Sequence, residues 1–296
     1  MSETPRPEPR VLRLRGRSFD ADAREVMAVI NRTPDSFFDR GRTFDHAPAL
    51  AAVREAVAEG AAIVDIGGVK AGPGDDVDLA EELSRTVDFV AQVREEFPHV
   101  VISVDTWRHE VGDAACRAGA DLLNDAWGGY DPELAHVAAA HDVGLVCTHT
   151  GGATPRTRPH RVEYDDVVGA VHDFLMAEAA RAVAAGVSSD KVVIDPGHDF
   201  GKNTRHSLEV TRKLSVLVSS RWPVLVSLSN KDFVGESLDL PVDQRLLGTL
   251  AATAVSAWSG ARIFRAHQVK ETVEVLTMVR ALSGTHQPAV ARRGLV

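Results

Sequence analysis

The sequence predicts an α/β fold, a single-domain (β/α)8 TIM barrel with a short N-terminal lead-in. Three observations carry this expectation. Eight short Val- and Ile-rich runs alternate with Ala-rich amphipathic stretches, the pattern of a parallel sheet covered by helices. Polar residues stand at the end of nearly every run, and a barrel gathers all its C-terminal strand ends around one mouth, whereas an open sheet does so only at a switch point. No GxGxxG follows the first run, so a doubly wound, dinucleotide-binding sheet has no support.

In chain order, residues 1–10 are rich in Pro and Arg and read as a flexible tail, and 11–24 as a hairpin-like lead-in. The expected strands are 26–31, 62–68, 101–106, 121–126, 144–149, 192–197, 223–229 and 261–267. Helical stretches include 48–60, 78–97, 107–119, 166–186 and the apolar 241–257. Several end in Gly just before a strand, as in EGAAIVDI and AGADLLND, where a left-handed residue stops the helix. The basic, Pro-containing loop 150–164 is a candidate lid over the mouth. These elements divide the chain into a lead-in at 1–24, a barrel at 25–285 and a C-terminal tail at 286–296.

Composition narrows the function. The 296 residues are 44% hydrophobic and 25% charged, enough for a core without disulfide or metal staples. A net charge of −9 with no basic stretch speaks against a nucleic-acid partner. Cys116 and Cys147 form no CxxC pair, so no disulfide or zinc framework is expected, and a reducing, cytoplasmic location is the expectation. The start lacks the apolar region of a signal peptide, and there is no run of 18 apolar residues, so no membrane partner is expected.

The strand ends offer Asn31, Gly67-Gly68, Asp105, Asn124-Asp125, His149, Asp195, Ser229 with Lys231, and Arg265 with His267. Carboxylates and amides suit the donor/acceptor edge of a flat, nitrogen-rich heterocycle. The cations suit a phosphate or diphosphate. Each residue alone has a plainer role: Asp105 as a helix cap, His149 or His267 as structural imidazoles, Lys202 and Lys231 as solvated charges, and mid-strand Asp65 as a structural group. Together they mark one end of a barrel.

Seven ordered motifs then resemble the dihydropteroate synthase family over roughly residues 25–280. They are Asn31-Arg32-Thr33-Pro34-Asp35-Ser36-Phe37, Asp65-Ile66-Gly67-Gly68 with Gly72-Pro73-Gly74, Ser103-Val104-Asp105-Thr106, Asn124-Asp125, Asp195-Pro196-Gly197 through Phe200-Gly201-Lys202, Ser229-Asn230-Lys231, and Arg265-Ala266-His267. The resemblance implies that Asp105, Asn124, Asp195 and Lys231 hold a pterin ring with Phe200 near it, and that Asp105, Asp195 and Lys231 are catalytic. It implies that Asn31 sits by the diphosphate and its Mg2+, that Arg265 stacks on the pterin or touches phosphate, and that His267 binds phosphate. The implied reaction is displacement of diphosphate from 6-hydroxymethyl-7,8-dihydropterin diphosphate by 4-aminobenzoate, on the path to folate, in a homodimer formed through the later helices.

The departures from the family pattern cluster. Where the family reads E-S-T-R-P-G, this chain reads Val69-Lys70-Ala71-Gly72-Pro73-Gly74, with Ala71 at the Thr position and Gly72 at the Arg position. Asn230 stands where Arg is usual, Arg32 where Val is usual, and Thr148-His149-Thr150 where Met-His-Met is usual. A lost anion-binding Arg costs ~2–5 kcal/mol when buried. Either Arg32, Lys70, Arg156 or Arg158 replaces the lost cations, or the chain resembles the divergent second homologue of some actinobacteria, a pterin binder without standard synthase activity. A metal-dependent hydrolase would instead need a cluster of imidazoles such as HxH on the first strand, which here ends Asn31-Arg32-Thr33. A folate-dependent methyltransferase barrel would need a corrinoid partner, and a non-catalytic regulator would bind pterin without turnover.

Overall fold

The computed structural model of the protein describes residues 10–33, 43, 45–70, 72–157 and 163–294. Ala71, Arg158, the segment Pro34–Phe37 and most of the expected N-terminal tail lie outside the described residues.

The lead-in is a hairpin of β1 (Leu12–Leu14) and β2 (Arg17–Phe19), paired antiparallel. The barrel follows: β3 (Glu25–Asn31), α1 (His46–Ala58), β4 (Ile63–Gly67), α2 (Leu79–Glu96), β5 (Val101–Asp105), α3 (His109–Ala118), β6 (Leu122–Asp125), α4 (Glu133–Ala140), β7 (Gly144–Thr148), α5 (Val167–Ala184), β8 (Val192–Asp195), α6 (Thr204–Arg212), α7 (Ser215–Ser219), β9 (Leu225–Ser227), α8 (Asp232–Leu238), α9 (Leu246–Trp258), β10 (Ile263–Ala266) and α10 (Val269–Leu282). The eight parallel strands run in the order β8-β7-β6-β5-β4-β3-β10-β9. The ring closes where the Ile194 N–H donates to Pro223 O at 3.0 Å and Ile194 bridges Val224.

Local chemistry sets the ends of the helices. Asp78 and Asp166 accept backbone N–H groups at the starts of α2 and α5, and Asn203 forms a capping box with His206 at α6. The expected helix at 241–257 begins later, at Leu246, because Pro241 opens a separate 3-10 turn over Val242–Gln244.

Strand side chains alternate between the barrel interior and the helix layer. At the N-terminal end the interior is apolar: Met27, Ile63, Val101, Leu122, Val146, Val193, Leu225 and Ile263 pack together, and Leu12, Leu14 and Phe19 of the hairpin close that end. Each such side chain stabilises by roughly 1.5–3 kcal/mol on burial. The opposite parity, including Ile66, Val104, Leu123, Cys147, Ile194, Val226 and Phe264, packs against the helices. Two or four residues above the apolar floor, the interior positions become Asn31, Asp65, Ser103, Asp105, Asn124, Thr148, Asp195, Ser227, Arg265 and His267. The polar site is therefore built on a dry, packed base.

Candidate active site

A cavity of about 600 Å³ opens at the C-terminal ends of the strands. Asn31, Asp105, Asn124, Phe200, Lys231 and His267 all line it, with Asp195 and Arg265. The eight residues to which the motifs assign a pterin, phosphate or metal role thus reach one space.

Beneath it lies a polar network centred on Asp65, which is fully buried. Its carboxylate accepts from Arg265 Nε at 2.6 Å, Ser103 Oγ at 2.6 Å and Asn124 Nδ2 at 3.1 Å. Arg265 Nη2 also donates to Asp105 Oδ2 at 3.0 Å. Mid-strand Asp65 therefore has the structural role expected of it, orienting Asn124 and Arg265 at the cavity wall. Burial, with further contributions from Asp65, Glu82 and Asp125, pushes the Asp105 carboxyl up to about 7 against the pull of Arg265. Asp105 is no helix cap: α3 starts from Arg108, whose N–H donates to Thr106 Oγ1 at 3.2 Å.

Asp195 accepts from the Gly197 N–H at 2.7 Å and Ser227 Oγ at 3.0 Å. Burial raises its carboxyl above the ordinary range, with Lys231 acting against it. The loop after β8 packs tightly on the end of β7. A Cβ on Gly197 (φ +63) would lie 2.1 Å from His149 O, and one on Gly201 (φ +54) would lie 2.1 Å from Thr150 O, so only glycine fits either position. Lys202 pins this loop, donating to the carbonyls of His149, Gly197 and Phe200. Lys231 donates to His198 O and stands 4.9 Å over the Phe200 ring. Neither lysine is the solvated charge it would be in isolation. Burial lowers both, Lys202 to about 7. Phe200 meets Trp127 edge-on at 5.3 Å, which gives the mouth an aromatic shelf.

Three strand-end residues point elsewhere. Asp125 faces out and accepts the Trp127 and Gly129 N–H groups. His149 also faces out, its Nδ1 2.7 Å from Lys202 Nζ, and burial followed by Lys202 lowers it to about 3. It is a structural histidine. Arg32 does not replace a lost arginine: its guanidinium donates to Arg85 O and Thr43 O in the helix layer and stacks 4.8 Å over Phe89. Of the other expected replacements, Lys70 lines the cavity, whereas Arg156 is absent from its lining. Asn230 fills the other lost arginine position with an amide donating to Gln268 Oε1 at 3.2 Å.

The sequence reading missed Thr33, Thr148, Ser227, Asp199, Arg245 and Trp127, which also line the cavity. Parity along the strands would have found Thr148 and Ser227, which stand two residues above Val146 and Leu225. Asp199 and Arg245 come from loops and had no such signal. Of the candidate lid, Ala153 and Thr157 line the cavity, and residues 158–162 lie outside the described residues. Among the described residues, the one metal-type cluster is His109, Glu110 and Asp131, none of which lines the cavity.

Residues 27–267 match the family described as pterin binding enzyme. The chain is 55% identical over 284 residues to the "Inactive dihydropteroate synthase 2" of Mycobacterium leprae, covering 95% of this chain and 98% of that one. It is 38% identical over 259 residues to the dihydropteroate synthase of Bacillus subtilis, covering 87% and 88%. The Yersinia pestis dihydropteroate synthase, solved as a sulfonamide drug complex, superposes with a TM-score of 0.88 at 36% identity, covering 93% of this chain and 100% of that one.

Proposed function

The chain belongs to the pterin-binding enzyme family of dihydropteroate synthase barrels, and on that premise we propose that its cavity holds a pterin ring. The observation that carries this reading is the convergence of Asp105, Asn124, Asp195 and Lys231 on one cavity of about 600 Å³. Carboxylates accept ring and amino N–H groups, and the amide and ammonium donate to ring nitrogen and carbonyl oxygen. Phe200 and Trp127 cover an aromatic face.

The reaction of the synthases in this family joins 6-hydroxymethyl-7,8-dihydropterin diphosphate to 4-aminobenzoate. The amine nitrogen bonds to the exocyclic CH2, the C–O bond breaks, diphosphate leaves with the electron pair, and the amine's surplus proton passes to solvent or to the departing diphosphate. Asp195 and Asp105 would favour positive charge developing on the ring and its CH2, and Lys231 would orient the ring. Asn31 offers Mg2+ one hard oxygen at the cavity wall, which fits an ion carried mainly by the diphosphate. When bound, the ion would neutralise the leaving group, and His267 and Arg265 would contact its phosphates.

A second reading is favoured by the leaving-group side. Gly72 lines the cavity at a family Arg position, Asn230 is held by Gln268, and Arg32 is turned into the helix layer. On this reading the chain binds a pterin without performing the standard condensation. Titration with the pterin diphosphate and Mg2+, followed by 4-aminobenzoate, separates the two. Dihydropteroate formation supports the synthase, and binding without product supports the divergent binder. Absence of pterin binding refutes both.

The proposal extends to a homodimer through the outer face of α9 and α10, where Leu247 is 80% and Trp258 64% exposed beside Val255, Met278 and Leu282. No helix among the described residues is long and apolar enough to cross a membrane. A cytoplasmic location is part of the same proposal.

A further inference from the structure

The formal charges of the described residues that line the cavity are balanced. Among the described residues lining it, five side chains are cationic (Lys70, Lys202, Lys231, Arg245, Arg265) and five are carboxylates (Asp105, Asp195, Asp199, Asp232, Glu236). The pairing is also local. Arg265 is held by Asp65 and Asp105 at 2.6 and 3.0 Å, and Arg245 lies 3.0 Å from Asp232. Lys202 is committed to three backbone carbonyls.

Lys231, the cation over Phe200, faces Asp195 and Asp199. Asp199 is fixed there: its backbone is left-handed (φ 65), and its carboxylate accepts from Ser207 Oγ at 3.0 Å and the Phe233 N–H at 3.2 Å. A diphosphate entering this space brings several negative charges, only part of which Mg2+ would offset, and meets no surplus of positive charge among the described residues. Burying an uncompensated anion is costly.

What the wall does offer is uncharged. Thr33 Oγ1 and Thr148 Oγ1 are buried and have no hydrogen-bond partner, yet both residues line the cavity. Thr148 is 3% exposed, and it stands between Asn124 on β6 and Asp195 on β8, in register with Asp195. Buried hydroxyls in folded proteins normally find a partner, and a hydroxyl can rotate to donate or accept. That suits the mixed edge of a neutral heterocycle. Val69, Ala126 and Ala153 make other parts of the wall apolar.

Resting on the pterin reading above, we infer that this cavity takes an uncharged pterin, of the unphosphorylated alcohol class, in preference to the diphosphate ester. Asp199 sets the charge selectivity, and Thr148 is a direct hydrogen-bonding contact to the ring.

The test is calorimetric titration of the full chain with 6-hydroxymethyl-7,8-dihydropterin, and separately with its diphosphate plus Mg2+. The expected result is that the alcohol binds at least as tightly as the diphosphate. A diphosphate that binds more tightly than the alcohol overturns the inference. If neither pterin binds, the pterin reading itself has failed. If both bind and the diphosphate wins, only this inference has. In Asp199→Asn the ratio of diphosphate to alcohol affinity should rise about fivefold as one opposing charge is removed, and an unchanged ratio counts against the charge assignment. Thr148→Val should lose about fivefold in alcohol affinity, with Thr148→Ser restoring most of it. Equal binding by the valine variant refutes the contact.

Discussion

Replacing Asp65 by Ala tests the network that positions the site. Three donors lose their acceptor: Arg265 Nε, Ser103 Oγ and Asn124 Nδ2, at 2.6, 2.6 and 3.1 Å. Removing one partner of a buried ion pair costs about 3–5 kcal/mol, and each stranded neutral donor adds about 1–3 kcal/mol. Arg265 keeps Asp105 at 3.0 Å, and the freed space admits water, so the low end applies to each. The expected loss is about 5 kcal/mol. For a chain of this size that corresponds to a fall in melting temperature of roughly 8 °C, measured by circular dichroism and checked by urea denaturation. The cycle with Arg265→Met adds a sharper criterion. Asp65→Leu combined with Arg265→Met removes both charges and should cost clearly less than the two single losses together. A melting temperature for Asp65→Ala within about 2 °C of the parent, or a strictly additive double variant, would show that Asp65 does not carry the network.

Four further outcomes follow from the same geometry. Burial pushes the Asp105 carboxyl up to about 7, so contacts that need its carboxylate should be present above that value and weaken below it. Pterin affinity should therefore fall as pH drops from about 8 to about 6, and Asp105→Asn should flatten that dependence. His149 is held neutral, lowered from 6.5 to about 3, so the unfolded chain binds the extra proton between those values. Its stability contribution is complete above 6.5 and is lost as pH falls toward 3, so the urea-midpoint advantage of the parent over His149→Gln should shrink on acidification. Gly197→Ala places a Cβ 2.1 Å from His149 O at φ +63 and should destabilise by at least about 2 kcal/mol; an unchanged denaturation midpoint would contradict the packing described. Leu247→Arg should convert the proposed dimer to monomer in sedimentation, while a monomeric parent would remove the dimer reading.

The sequence by itself determined the barrel, because hydrophobic periodicity is a local property. All eight strands, from Glu25–Asn31 to Ile263–Ala266, fall where Val- and Ile-rich runs predict them. The residues implied by the motifs, Asn31, Asp105, Asn124, Phe200, Lys231 and His267 among them, do share one cavity. Orientation was less legible. Asn124 and Asp125 are neighbours in sequence, yet one lines the cavity and the other ties a turn outside the barrel. Thr148 and His149 divide in the same way. The division follows from the two-residue period of a strand, once the apolar floor at Met27, Ile63 and Leu122 fixes which parity points inward.

Only the tertiary structure decided the charge balance. Asp65 and Arg265 are two hundred positions apart, Asp199 reaches Phe233 across a loop, and Arg245 comes back to Asp232 from beyond α8. Ion pairs depend on distance and burial in space, and sequence spacing carries neither. The residue types were therefore readable in the chain, but how their charges offset one another was settled only when the strands closed into a ring.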